Sequence, residues 1–123
     1  MDYFVDKQLF QEIEMLHERI CQALGDPKRL MILYLLNQHQ RSVGELAQEL
    51  DTPQPTISHH LKILRERHLV RTHKDGTTVY YALADTRVIQ AIDVLRDVLR
   101  DSLAAQARLA EFHALDAEQK HTE

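Results

Sequence analysis

Residues 42–83 constrain the fold more tightly than any other part of the chain. Two short amphipathic segments, SVGELAQEL (42–50) and one that starts at Gln54, are joined by the tight link DTPQP. Two β-rich runs, LVRTHK and TTVYYAL, follow, on either side of Asp75-Gly76. Ser42 and Glu45 have the spacing of a capping box, so the first segment opens a helix whose Val43, Leu46, Ala47 and Leu50 share a face. Thr52 can cap the next helix, with Pro53 and Pro55 in a first turn where amide hydrogens lack intrahelical partners. That helix runs to about Arg67. It buries Ile57, Leu61 and Leu64 and turns Gln54, Ser58 and Lys62, at four-residue spacing, to another face. An Asp-Gly pair between β-rich runs predicts a hairpin with both central residues at positive φ. Two helices across a tight turn, then a hairpin, make a winged helix-turn-helix.

The remaining elements frame this unit. Leu9, Ile13, Leu16, Ile20 and Leu24 repeat at helical steps, so residues ~6–24 form a helix ended by Gly25. Asp26 and Pro27 supply an N-cap and a first helical position for a second, largely buried helix around LMILYLL. The last element starts near Asp85-Thr86, with Val88, Ile92, Leu95, Leu99 and Leu103 in register. About 25 residues of helix measure roughly 38 Å, longer than so small a body. Part of its apolar row can pack on the first helix and the rest on a second copy of the chain. Asp93, Asp97 and Asp101 beside Arg96 and Arg100 form a solvated face. The fold expected is mainly α with a small β-hairpin and five helices. Within one domain it divides into an N-terminal helix (1–25), a winged core (26–84), a C-terminal helix (85–115) and a disordered tail (116–123).

Charge shows what the core is for. Residues 54–74 hold Lys62, Arg65, Arg67, Arg71 and Lys74 against the single acid Glu66, a net of +4 in a chain whose total is −4. Four of the eight histidines lie there too. Binding depends on the field at one surface, so this local count outweighs the total. A helix fits the major groove with its N-terminal residues at base edges. Gln54, Thr56, Ser58 and His59 are therefore the expected base readers. His60, Lys62, Arg65, Arg71, Lys74 and Thr77 are the expected phosphate contacts, setting register and affinity. His60 could equally pack or cap beside Leu61, and His68 could simply hold the turn. The partner is double-stranded DNA. No apolar run reaches the ~18 residues that span a bilayer, no signal peptide is visible, and the lone Cys21 suits a reducing compartment. The chain is expected to be cytoplasmic, with no membrane partner.

The stretches LGDPKRLMILYLL (24–36), VGELAQEL (43–50), QPTISHHLKILRERHLV (54–70) and DGTTVYYAL (75–83) resemble ArsR/SmtB-type transcriptional repressors over about residues 20–95. The resemblance implies a homodimer paired through the first and last helices, on the Leu9, Ile13, Leu16, Ile92, Leu95, Leu99 and Leu103 rows. It also implies operator DNA as the target and release when an inducer, a metal, metalloid or other stress signal, binds. Where the family often has Gly after the recognition helix, this chain has His68, which tolerates a left-handed backbone better than most residues.

Both common metal motifs of the family are absent. Val43-Gly44-Glu45-Leu46-Ala47 replaces the Cys-x-Cys of the third helix, and the last helix offers only His113, with no Asp-x-His before it. No cofactor is expected and the inducer is unassigned. His17 and Cys21, four apart on one helix face, could supply two ligands of a zinc-like site. Against that stands an exposed or interface histidine and a buried cysteine. Glu111, His113 and His121 could also hold metal. His17 and Cys21 are also the sole nucleophile–base pair in local register, with no third group, so no enzyme is expected. The rival reading is a winged-helix module for protein association without operator binding. It predicts a less basic wing than Arg71, His73 and Lys74 provide.

Overall fold

The structure, a computed structural model, describes residues 6–121. It falls into two compact units, one ending at Thr86 and one starting at Arg87. The first unit contains α1 (Lys7–Leu16), α2 (Pro27–Gln38), β1 (Arg41–Ser42), α3 (Val43–Glu49), α4 (Gln54–Glu66), β2 (Val70–Asp75) and β3 (Thr78–Leu83).

Local chemistry sets most of the boundaries. Asp26 caps α2 by accepting from the Lys28 and Arg29 amides at 2.8 and 3.2 Å, with Pro27 in its first turn. Ser42 and Glu45 form both halves of the expected capping box on α3. The first helix differs from the uniform helix of the sequence reading. After Leu16 it widens into one π-helical turn, His17–Cys21, where the Gln22 amide reaches back to the His17 carbonyl at 3.0 Å.

Thr52 does not cap α4. Pro53 occupies the N-cap position with no side-chain bond. The Thr52 hydroxyl is buried instead, donating to the Leu50 carbonyl at 2.9 Å and accepting from Lys28 Nζ at 2.6 Å. His68 sits just past α4 at φ 60, the left-handed conformation expected of it. Ile32, Leu33, Leu46, Ile57, Leu61 and Leu64 are fully buried and form the centre of the unit, with Leu36, Val70 and Leu83 around them.

The hairpin is shifted by one residue from the sequence expectation. Asp75 pairs with Thr78, so Gly76 and Thr77 are the two central residues of the turn. Gly76 has φ 64 and Thr77 is not at positive φ, the pattern of a type II′ turn with glycine first. The sheet also has a third strand: β1 pairs antiparallel with β3, giving the order β1-β3-β2.

The second unit is α5 (Arg87–His121), a 35-residue helix about 52 Å long. It runs through most of the stretch expected to be a disordered tail, because Ala114–Lys120 contains good helix formers and neither Gly nor Pro to stop them. Residues 122 and 123 of that tail lie outside the described residues. Asp93 pairs with Arg96, and Asp97 with Arg100 at 2.5 Å, on the exposed face as expected. Ile89 and Ile92 are buried. Ile92, expected in the interface row, is 6% exposed. From Leu95 onward the row is bare: Leu95, Leu99 and Leu103 are more than half exposed. Leu9, Ile13 and Leu16 on α1 are similarly bare.

Candidate nucleic-acid interface

Helix α4 has two distinct sides because its apolar residues recur at three- and four-residue steps. Ile57, Leu61 and Leu64 face the core. Gln54, Ser58 and Lys62 form an exposed row, with Thr56, His59, Arg65 and Glu66 exposed beside them. All four expected base readers thus reach solvent. The link before α4 contains buried Thr52, and the link after it turns at left-handed His68. Serine, glutamine and histidine at such positions can donate and accept, which base edges require.

Strand alternation sorts the wing. Directly paired residues share a face, so Arg71 and His73 lie with Ala82 and Tyr80. The His73 and Tyr80 rings stack with centroids 5.7 Å apart. Lys74 has the opposite parity, with Val70 and Thr72, and stands on the other face near the tip. Arg71 and Lys74, grouped together as expected phosphate contacts, therefore stand on two sides of the hairpin. Thr77 is exposed at the turn itself.

Lys62, Arg65, Arg71 and Lys74 are all exposed, and among the described residues none of the four is engaged in an ion pair. The cations of α5 differ: Arg96 and Arg100 each have an aspartate neighbour. Unpaired cations beside a polar helix face form a surface for a polyanion.

His60 is the expected phosphate contact that the structure removes. It is 8% exposed, because it follows Ile57 by three and precedes Leu64 by four and so faces inward with them. That phase was present in the sequence. The basic character of the segment pointed the other way. His60 Nδ1 lies 3.4 Å from Arg29 Nη1, and its Nε2 lies 3.9 Å from Asp26 Oδ1. Burial pushes the imidazole below the ordinary histidine pKa, against the pull of Asp26; Arg29, His59 and Lys28 push the same way as burial. Asp26 loses some solvation, but the Arg29 and Lys28 amides outweigh this and hold its carboxyl below the usual range.

Arg41 is a residue sequence reasoning missed. It is 3% exposed, with Nε 2.6 Å from Glu49 Oε2. Its Nη1 donates to the Leu35 and His39 carbonyls, and its Nη2 to Gln38 Oε1 at 3.1 Å. One guanidinium therefore closes the C-terminal end of α2 and anchors β1, the strand on which the wing is built. A signal existed: a lone arginine just before a capping box, outside every basic cluster.

Cys21 is exposed, not buried as the simpler reading of that cysteine had it. Among the described residues, no three His, Cys, Asp or Glu side chains converge where a metal could bind. No described helix is long and apolar enough to cross a membrane.

Residues 26–72 match the family described as bacterial regulatory protein, arsR family. An uncharacterized HTH-type transcriptional regulator of Methanocaldococcus jannaschii is 44% identical over 80 residues, 64% of this chain and 90% of that protein. The transcriptional repressor SdpR of Bacillus subtilis is 37% identical over 71 residues, 58% of this chain and 78% of the repressor. A solved structure, the homodimeric winged helix-turn-helix DNA-binding domain of a Mycobacterium bovis protein, matches with a TM-score of 0.66 at 28% identity. The match covers 82% of this chain and 92% of that one. The chain belongs to the arsR family of bacterial regulatory proteins.

Proposed function

We propose that the protein is a cytoplasmic, homodimeric transcriptional repressor that reads an inverted repeat in operator DNA, and not an enzyme. Helix α4 enters the major groove, with Gln54, Thr56, Ser58 and His59 toward base edges. Lys62, Arg65, Arg71, Lys74 and Thr77 grip phosphates. The observation that carries this reading is the pairing on α4 of a buried apolar side with an exposed polar row, flanked by unpaired cations. Dimerisation is supported by the bare apolar rows of α1 and α5 and by the homodimeric state of the Mycobacterium bovis relative.

Footprinting on the DNA upstream of the protein's own gene tests it. Two-fold symmetry predicts two protected half-sites about one helical turn apart, ~10 base pairs, or a multiple of that. Ser58→Ala and Gln54→Ala each lower the preference for that site over random DNA by ~1–3 kcal/mol while leaving non-specific binding intact. A single unsymmetrical footprint, or a preference unchanged in both variants, contradicts the assignment of α4.

A further inference from the structure

His60 is the one polar side chain that α4 buries. A polar group at that depth needs a partner, and His60 takes its partner from α2. Arginine can only donate, so at the 3.4 Å approach of Arg29 Nη1 the acceptor must be His60 Nδ1. The ring proton is then on Nε2, on the side of Asp26. The same guanidinium is fixed from behind: Arg29 Nε donates to the Ala23 carbonyl at 2.6 Å and Nη2 to the Gln22 carbonyl at 3.1 Å. Gln22 and Ala23 belong to the corner joining the π-helical end of α1 to α2. One arginine thus links the helix that carries a proposed dimer row to the helix that reads DNA, and His60 is its only contact on α4 among these bonds.

We propose that His60 is a positioning residue for DNA reading: through Arg29 it holds α4 in place against the α1–α2 corner, and protonation of its ring releases that hold. This rests on α4 being the reading helix. The charged groups facing the ring are Asp26, Lys28 and Arg29 from the start of α2 and His59 from α4 itself. Protonation turns Nδ1 from an acceptor into a donor that faces another donor and adds a cation beside Arg29 and Lys28. Because burial holds the folded-state pKa below the ordinary histidine value of about 6.5, the neutral arrangement persists down to that value and is lost as pH falls further, through the depressed pKa. His59, His68 and His73 are not buried, and they are common to the wild type and to every His60 variant.

The test isolates His60 by a ratio. Binding to a duplex of the upstream sequence is measured by fluorescence anisotropy at constant ionic strength from pH 8.0 to 5.5, for the wild type, His60→Asn and His60→Leu. Asparagine places an acceptor oxygen where Nδ1 stands and does not titrate; leucine fills the space without an acceptor. Every group other than residue 60 is shared in the ratio of His60→Asn to wild-type affinity, which is expected to rise by about threefold to tenfold between pH 7.5 and 5.5. His60→Leu is expected to bind several-fold more weakly than wild type at pH 7.5. A ratio that stays constant with pH overturns the proposal, as does His60→Leu binding equal to wild type at pH 7.5. Absence of binding by all three proteins at every pH, with helical circular dichroism intact, overturns the DNA-reading assignment itself.

Discussion

Replacing Ile13 and Leu99 together by glutamate is expected to reduce operator affinity by about a hundredfold or more and to leave the protein monomeric. Ile13 is 50% exposed on α1 and Leu99 56% exposed on α5, each within a longer bare row. Apolar rows of this extent are seldom left in water by a soluble monomer. A two-fold interface contains every substitution twice, so each glutamate must be desolvated at two places. Loss of pairing then removes one of two half-site contacts, and linkage of two such modules contributes roughly 10²–10⁴ in overall affinity. Analytical ultracentrifugation distinguishes the 14.4 kDa chain from its dimer. A variant that still sediments as a dimer and still binds its operator tightly shows that the subunits pair elsewhere.

The second large effect concerns stability. Arg41→Ala is expected to cost about 2–4 kcal/mol, read as a lower urea midpoint at unchanged slope. The substitution removes the donors to the Leu35 and His39 carbonyls and to Gln38, and leaves Glu49 without its cation. Glu49 remains partly exposed, which places the cost below that of a fully buried pair. Arg41→Lys recovers little, because one ammonium cannot reproduce a planar fork that donates to three acceptors and also faces Glu49. A loss under ~0.5 kcal/mol for Arg41→Ala contradicts this role. Because β1 pairs with β3, the wing is expected to loosen with it, and amide exchange in Tyr80 and Tyr81 should rise in step.

What the sequence made legible was set by short-range chemistry. The caps at Asp26 and Ser42 depend on residues two or three positions away, and the buried row Ile57, Leu61 and Leu64 is fixed by helical period alone. His68 was readable for the same reason, since one backbone angle after a helix decides which residues fit. The misplaced features depend on partners distant in sequence. Thr52 caps nothing because Lys28, 24 residues earlier, takes its oxygen. The hairpin turn is centred on Gly76-Thr77 because burial of Val70 opposite Leu83 fixes the strand register, and that overrides the Asp-Gly preference. His60 and Arg41 carry charge-capable side chains, so composition placed one at the surface and passed over the other. Only tertiary partners explain why both are buried. The extent of α5 past residue 115 was misread for a different reason: chain ends fray often, yet helix formers without a stop signal continued the helix.

The measurement that bears most directly on DNA binding by α4 and the wing is the dependence of operator affinity on salt, for the wild type and for Lys74→Ala. Each phosphate neutralised by a lysine or arginine adds about −0.9 to the slope of log affinity against log salt. A steep negative slope is predicted for the wild type, because Lys62, Arg65, Arg71 and Lys74 stand exposed in both copies of the dimer. Lys74→Ala should weaken all duplexes about equally and flatten the slope by about 1 for each copy, about 2 for the dimer. A slope near zero in the wild type, or one that Lys74→Ala leaves unchanged together with affinity, contradicts the assignment of this surface to DNA.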